Sequence, residues 1–145
     1  MTFEQKVKSM TAKEIIMAMV EGLRNPTTKI DMMTFGQVKN GVCIGCAATN
    51  TICNIGGYTV KDIRNNTYGI TRPVLSRTKM TQCHFVGYFE DAIDELRSGD
   101  ILGYNLAAEE FGFATIEDND KDLPYLMNSY TPADLLPYEQ LANEQ

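Results

Sequence analysis

The sequence contains no uninterrupted apolar stretch that approaches the ~20 residues a helix needs to cross a bilayer. The start of the chain also lacks the continuous apolar core of a secretory signal, because Glu14 and Glu21 lie among its apolar residues. We therefore expect no membrane partner and predict a cytoplasmic protein. In that compartment the four cysteines are expected to remain free thiols.

Only one histidine is present, His84, so a cysteine nucleophile has no other histidine to use as its base. Zinc sites usually show two spaced pairs of ligands. Cys43 and Cys46 form one such pair, but Cys83 and His84 are adjacent and provide no second one. The glycines between positions 36 and 57 fit neither a phosphate-binding loop nor a dinucleotide site. We therefore predict no metal ion and no cofactor.

The overall composition is that of an ordinary globular protein, with 43% hydrophobic and 22% charged residues. The 145 residues fit one domain, which we place over positions 1–145. A chain of this length can bury a core that is stable without a metal ion or a disulfide bond.

The net charge of −6 is unevenly distributed along the chain. Residues 1–88 carry 11 basic against five acidic residues, a net charge of +6, whereas residues 89–145 carry two basic against 14 acidic ones, a net charge of −12. The two halves can attract one another within the fold or across a homo-oligomer, or the acidic half can serve a protein partner with a basic surface. Nucleic acid is an unlikely partner, because phosphate binding needs a basic face.

Helix signals are clear near both ends of the chain. Thr11 and Glu14 form a capping box before apolar residues at helical spacing, and Asn25-Pro26 ends that helix. Thr131 begins the last helix, with a proline at its first position, and Pro137 is expected to break or restart it.

Two further helices are predicted in the acidic half. The first covers Phe85–Arg97, where apolar residues form one stripe and carboxylates cover the opposite face. The second covers Ile101–Phe111, with Asp100 as its cap and Gly112 as its end.

Small residues and cysteines characterise the segment Gly41–Cys53, which we interpret as a central helix over Cys43–Ile55. In such a helix three cysteines and one amide share a stripe, namely Cys43, Cys46, Asn50 and Cys53. The helix is apolar or small over most of its girth and is expected to be buried, where Asn50 would need a hydrogen-bond partner.

The predicted fold is mainly α, with an α-rich α+β fold as the alternative. About five helices surround the central Gly/Cys/Ala-rich helix, and a small sheet can be added to them. Short strands are expected at Ile30–Phe35 and within the polar stretch Asn65–Lys79, and a helical turn is expected at Thr59–Asp62.

The run Val38–Ala47 resembles the active-site stretch of papain-like cysteine peptidases, in which a cysteine opens the central helix. The resemblance implies Cys46 as the nucleophile and His84 as its base. A second register of the same pattern implies Cys43 as the nucleophile, with Gln37 six residues before it as the oxyanion donor.

Three functions remain open from the sequence. The favoured one is a small acidic regulatory protein that binds another macromolecule without catalysis, since free cysteine is most often a buried structural residue. Its partner-binding residues are Glu90, Asp91, Asp94, Glu95, Glu109 and Glu110. The alternatives are a cysteine-dependent hydrolase that uses Cys46 or Cys43 with His84, and a small-molecule-binding protein with a pocket near Gly41–Gly45.

Overall fold

A computed structural model of the chain describes residues 3–26, 28–34, 36–59 and 82–145, with the backbone alone for 82–87. Six helices lie in these ranges: α1 Phe3–Ser9, α2 Ala12–Arg24, α3 Ala47–Gly56, α4 Gln82–Arg97, α5 Ile101–Phe111 and α6 Pro132–Asn143. Three short strands form one sheet in the order β1-β3-β2: β1 Lys29–Ile30, β2 Gly36–Lys39 and β3 Val42–Gly45. This helix-rich architecture with a small sheet confirms the α-rich α+β form of the prediction. None of these helices is long and apolar enough to cross a membrane.

Local capping signals place several helix ends where the sequence predicted them. The Thr11 and Thr131 side chains each accept a hydrogen bond from a backbone amide, and both capping boxes are complete. Asp100 accepts from the amide of Gly103 at the start of α5, and Gly112 ends that helix in a left-handed conformation.

The predicted helix over Cys43–Ile55 is wrong in its first turn. Residues 42–45 form β3, which pairs antiparallel with β2 and parallel with β1, and the helix begins only at Ala47. Asn40 and Gly41, with φ of 51° and 75°, turn the chain between β2 and β3. Asn-Gly between two short strands is a strong signal for a tight hairpin turn. Residues 42–45 form the second strand of this hairpin, and β2 supplies its backbone hydrogen bonds.

Other boundaries also differ from the prediction. The helix expected from Phe85 begins at Gln82, and α1, which was not predicted, buries Phe3 and Val7. Pro137 lies inside α6 without breaking it, since buried residues on both sides of the proline anchor the helix. The strand expected at Ile30–Phe35 is confined to β1. The helical turn expected at Thr59–Asp62 and the strands expected within Asn65–Lys79 lie almost wholly outside the described residues.

The core is organised around α3, which packs between α2 and α4. Ala47, Ala48 and Thr49 are fully buried, so the start of the helix is enclosed on every side. A Cβ on Gly22 of α2 would lie 3.3 Å from the carbonyl oxygen of Asn50. The two helices therefore approach closely at this glycine, and a larger side chain there would push them apart.

An antiparallel hairpin is formed by α4 and α5. The rings of Tyr88 and Phe111 stack with centroids 3.6 Å apart, which joins the first half of α4 to the end of α5. At the other end, Gly103 lies against the carboxylate of Glu95, where an added Cβ would come within 2.8 Å.

The segment between α5 and α6 has no regular secondary structure but is held at several points. The Asn105 side chain bonds both the amide and the carbonyl of Ile116, and the Tyr104 hydroxyl donates to the carbonyl of Ala114. The Tyr138 hydroxyl lies between two carbonyl oxygens, those of Arg97 and Pro124. Four apolar side chains of the segment are buried: Phe113, Ile116, Leu123 and Leu126.

Replacing Gly99 by alanine is expected to destabilise the protein more than the same change at Gly57. Both glycines have a left-handed φ, of 87° and 69°, so each alanine should cost roughly 1–2 kcal/mol. A Cβ at Gly99 would also lie 2.6 Å from the Leu123 carbonyl oxygen, whereas Gly57 faces open space. We expect this clash to add roughly 1–3 kcal/mol in urea unfolding. Equal losses in the two variants would show that the contact with Leu123 is not tight.

Candidate functional site

Cys46 lies at the junction of β3 and α3, as the N-cap residue of the helix. Its side chain is buried, with only 4% of its surface exposed. The Sγ atom lies 3.4 Å from Oγ1 of Thr49 and 3.9 Å from Oε1 of Glu90, to which the thiol donates. Cys46 and Glu90 therefore form a thiol–carboxyl pair across the α3–α4 interface.

Burial is the main cause that raises the pKa of the Cys46 thiol above its ordinary value of 9.0. The negative charges of Glu90 and Asp94 raise it further, whereas hydrogen bonding with Thr49 lowers it. The net effect disfavours the thiolate, which is the form that acts as a nucleophile.

The pKa of the Glu90 carboxyl is also raised. Burial, followed by the charges of Asp94 and Asp91, raises the pKa of the Glu90 carboxyl from 4.5 to about 7. The hydrogen bond from Cys46 and the charge of Arg97 only partly offset this rise. A carboxyl with this pKa can release or take up a proton near neutral pH.

The hairpin separates Gln37 from Cys43. Gln37 pairs with Ile44 across the two strands, and Cys43 pairs with Val38. Paired residues share a face and successive residues alternate, so the side chains of Gln37 and Cys43 point to opposite faces. The register in which Gln37 serves Cys43 as an oxyanion donor has no support from this pairing.

His84 belongs by its backbone to the first turn of α4, but its side chain lies outside the described residues. Cys46 contacts the same helix at Glu90, six positions later, which corresponds to about 9 Å along the helix axis. The pairing of His84 with either cysteine therefore stays a prediction.

Among the described cysteines, Cys43 and Cys53 do not gather around Cys46 to form a metal site. Cys43 is half-buried on β3 and Cys53 is buried within α3. Among the described side chains no group of three or more His, Cys, Asp or Glu is placed to hold a metal ion.

The buried side-chain amide of Asn50 forms hydrogen bonds through its nitrogen atom. Its Nδ2 group donates to Oγ1 of Thr28 at 2.6 Å and to the carbonyl of Cys46 at 3.2 Å. Its Oδ1 atom is buried and has no hydrogen-bond partner among the described residues. The amide thus ties α3 to the residue before β1 and fixes the backbone of Cys46.

The predicted acidic residues divide into two groups. Glu90 and Asp94 are half-buried, and Asp94 binds Nε of Arg97 at 3.0 Å. Asp91, Glu109 and Glu110 are exposed, and none of them takes part in an ion pair of the described chain.

Glu95 lies where α4 meets the start of α5. Burial raises the pKa of its carboxyl, and a hydrogen bond with Asp100 and the charges of neighbouring acids raise it further. The structure therefore brings Glu95 and Asp100 together, a contact that the predicted partner-binding set did not contain.

Two leucines on the outer face of α5 were missed by the sequence analysis. Leu102 and Leu106 are 57% and 62% exposed, one helical turn apart. Glu109 and Glu110 follow on the same face, because residues three or four positions apart are neighbours on a helix. A helical projection would have revealed them, since both leucines lie off the buried stripe of Ile101, Tyr104, Asn105, Ala108 and Phe111.

The described cavities lie elsewhere. One cavity, of about 560 Å³, lies between α2 and α6 and is bordered by Arg24, Tyr130, Leu136 and Glu139. A second, of about 450 Å³, lies beside β1, and a third, of about 420 Å³, lies near the start of α2. None of these three cavities is lined by Gly41–Gly45, so a ligand pocket there stays a prediction.

Comparison with protein-family models, with curated proteins and with solved structures finds no match for this chain.

Replacing Glu90 by glutamine is expected to speed alkylation of Cys46 at neutral pH. Removing the adjacent negative charge lowers the thiol pKa, so the thiolate fraction and the rate should rise roughly three- to tenfold. Thr49→Val should slow the reaction, because the hydroxyl of Thr49 favours the thiolate. Peptide mapping after iodoacetamide treatment resolves each cysteine. Unchanged Cys46 kinetics in Glu90→Gln would contradict the thiol–carboxyl pair.

Glu90 should also make stability depend on pH. Its folded pKa of about 7 lies above the ordinary 4.5, so the folded state binds the extra proton between these values. Stability is therefore lost as the pH rises through this window. Urea unfolding from pH 5 to 8 should show Glu90→Gln gaining on the order of 1–3 kcal/mol over the wild type. Glu110→Gln, which removes an exposed charge, is the control, and a parallel pH profile in the two variants would refute the assignment.

Proposed function

We propose that this protein is a small acidic cytoplasmic binding or regulatory protein that engages a basic protein partner and performs no catalysis. The contact surface is formed by carboxylates of α4 and α5, namely Glu90, Asp91, Asp94, Glu95, Glu109 and Glu110.

The observation that carries this proposal is a group of carboxylates, most of which have no counterion among the described residues. Burial and then the neighbouring acids Asp100, Asp91 and Asp94 raise the pKa of Glu95. The exposed Asp91, Glu109 and Glu110 form no ion pair within the described chain. Like charges held this close repel one another, and a cationic partner relieves that repulsion on binding. Arg97 does not fill this role, because Asp94 already holds it and it lies over the ring of Tyr125.

A cysteine-dependent hydrolase remains the second candidate. Cys46 opens α3 directly after a strand, which is the placement that the peptidase resemblance implies. The raised pKa of its thiol and the acids around it weigh against a nucleophile at this position. Binding therefore accounts for more of the described surface than catalysis does.

Neutralising the exposed acids of the hairpin is expected to weaken partner capture. The test variant is Asp91→Asn/Glu109→Gln/Glu110→Gln, and the matched control is Glu117→Gln/Asp120→Asn/Asp122→Asn, which removes three exposed charges from the α5–α6 segment. Partners captured from native lysate are identified and quantified by mass spectrometry. We expect one basic protein to be retained by the wild type and the control, and to fall roughly tenfold in the test variant, the loss of about 1.4 kcal/mol of binding.

Salt provides the independent check on the same partner. Exposed charges are screened over about 10 Å at 0.1 M salt and about 3 Å at 1 M, so capture should fall steeply between these concentrations. A partner that all three proteins retain equally, or that resists salt, would rule out the acidic surface as the binding site.

A further inference from the structure

The outer face of α5 combines exposed leucines with carboxylates in one short stretch. Leu102 and Leu106 stand one turn apart, and Glu109 and Glu110 occupy the next turn of the same face. Asp100 caps the helix at the other end. The Asp100 carboxylate faces Gly103 and Glu95 of α4, so the leucine pair is bounded by carboxylates of its own face at the Glu109–Glu110 end.

This face is not needed to hold α5 in the fold. The opposite stripe already packs Ile101, Tyr104, Ala108 and Phe111 into the core, with Tyr104 and Ala108 fully buried. Single exposed apolar residues are common on protein surfaces, but two adjacent leucines form a contiguous patch. The patch is small, so charge must supply part of the affinity of anything that covers it.

A second copy of the chain is a poor occupant of this face. In a two-fold symmetric dimer the same patch meets itself. Antiparallel pairing would bring Glu109 and Glu110 toward the end of the other copy's helix where Asp100 and Glu95 lie together, and parallel pairing would bring the glutamates against one another. Both arrangements place like charges together, which disfavours the contact.

We propose that the outer face of α5 is the docking surface for an amphipathic basic helix of another protein. The partner helix places apolar residues at i and i+4 against Leu102 and Leu106, which lie about 6 Å apart along the axis. Lysine or arginine one turn beyond the end that contacts Leu106 meets Glu109 and Glu110. The inference rests on the proposed function, since it specifies which part of the acidic surface makes the contact and what chemistry it selects.

The test uses a synthetic probe, a fluorescently labelled leucine–lysine peptide of about 18 residues, long enough to form a helix. Its leucines are spaced i and i+4, with lysines one turn outside them. A control peptide has the same composition, but its leucines are scattered around the helix. Fluorescence anisotropy at low salt should show the patterned peptide binding at least roughly tenfold more tightly than the scattered one.

The variants assign that binding to the α5 face. Leu102→Gln/Leu106→Gln should weaken the patterned peptide roughly tenfold or more. Leu136→Gln, which replaces a 49% exposed leucine on α6, should leave it unchanged. All positions are exposed, and thermal unfolding followed by circular dichroism verifies that each variant is folded.

The outcomes separate the two proposals. If the scattered peptide binds as well as the patterned one, or if Leu102→Gln/Leu106→Gln binds normally, the docking inference fails while the acidic surface stands. If the affinity for the peptide is also unaffected by salt and by the Glu109→Gln/Glu110→Gln substitution, the proposed function fails as well. A wild-type dimer in analytical ultracentrifugation that dissociates in the leucine variant would identify a second copy as the occupant and overturn the inference.

Discussion

The close contact between α2 and α3 at Gly22 is the constraint on which the described structure depends. Because no side chain stands between Gly22 and the backbone of Asn50, α3 lies deep in the core with its alanines fully enclosed. Enclosure of α3 places Cys46 against α4 rather than against solvent. The helix α5 packs against α4 through two contacts. The rings of Tyr88 and Phe111 stack at one end of the hairpin, and Gly103 lies against Glu95 at the other.

The electrostatic character of the hairpin follows from this arrangement. On the side of α4 that faces α3, Glu90 is half-buried beside the thiol of Cys46. This burial disfavours the negative charge of the Glu90 carboxylate. The outer edge leaves other carboxylates in solvent without counterions in the described chain. The hairpin thus holds one buried carboxyl whose charge is disfavoured and exposes other carboxylates on its outside. In the proposed function, these exposed carboxylates make the contact with a basic partner.

Features that depend on neighbouring residues in the chain were predictable from the sequence. The capping boxes at Thr11 and Thr131 act within one turn, so their residues alone define the helix starts. The strand at residues 42–45 was not recognised, because a short run of small and apolar residues suits a helix or a strand equally well. Its pairing with β1 and β2 decides the outcome, and β1 is separated from it by more than ten residues.

The residues of the candidate site also differ in whether the sequence alone could predict them. The acidic residues of α4 and α5 could be named from the sequence, because residue type is read directly from it, but the half-burial of Glu90, Asp94 and Glu95 could not. The contact of Cys46 with Glu90 could not, since it joins residues 44 positions apart that only the packing of α3 on α4 brings together.

The segment between Gly112 and Thr131 has a consequence for how the protein can change over evolution. Several of its polar attachments to the helices use main-chain groups of the segment, at Ala114, Ile116 and Pro124, whereas the side chains of Asn119 and Lys121 make two others. Most of its side chains outside the four buried apolar positions are exposed, including Asp118, Asp120 and Asp122. Substitutions at these acids therefore alter the charge of the surface while the anchors of the segment stay in place. The fold separates a region where sequence drift is tolerated from the tightly packed α2–α3 contact, where it is not.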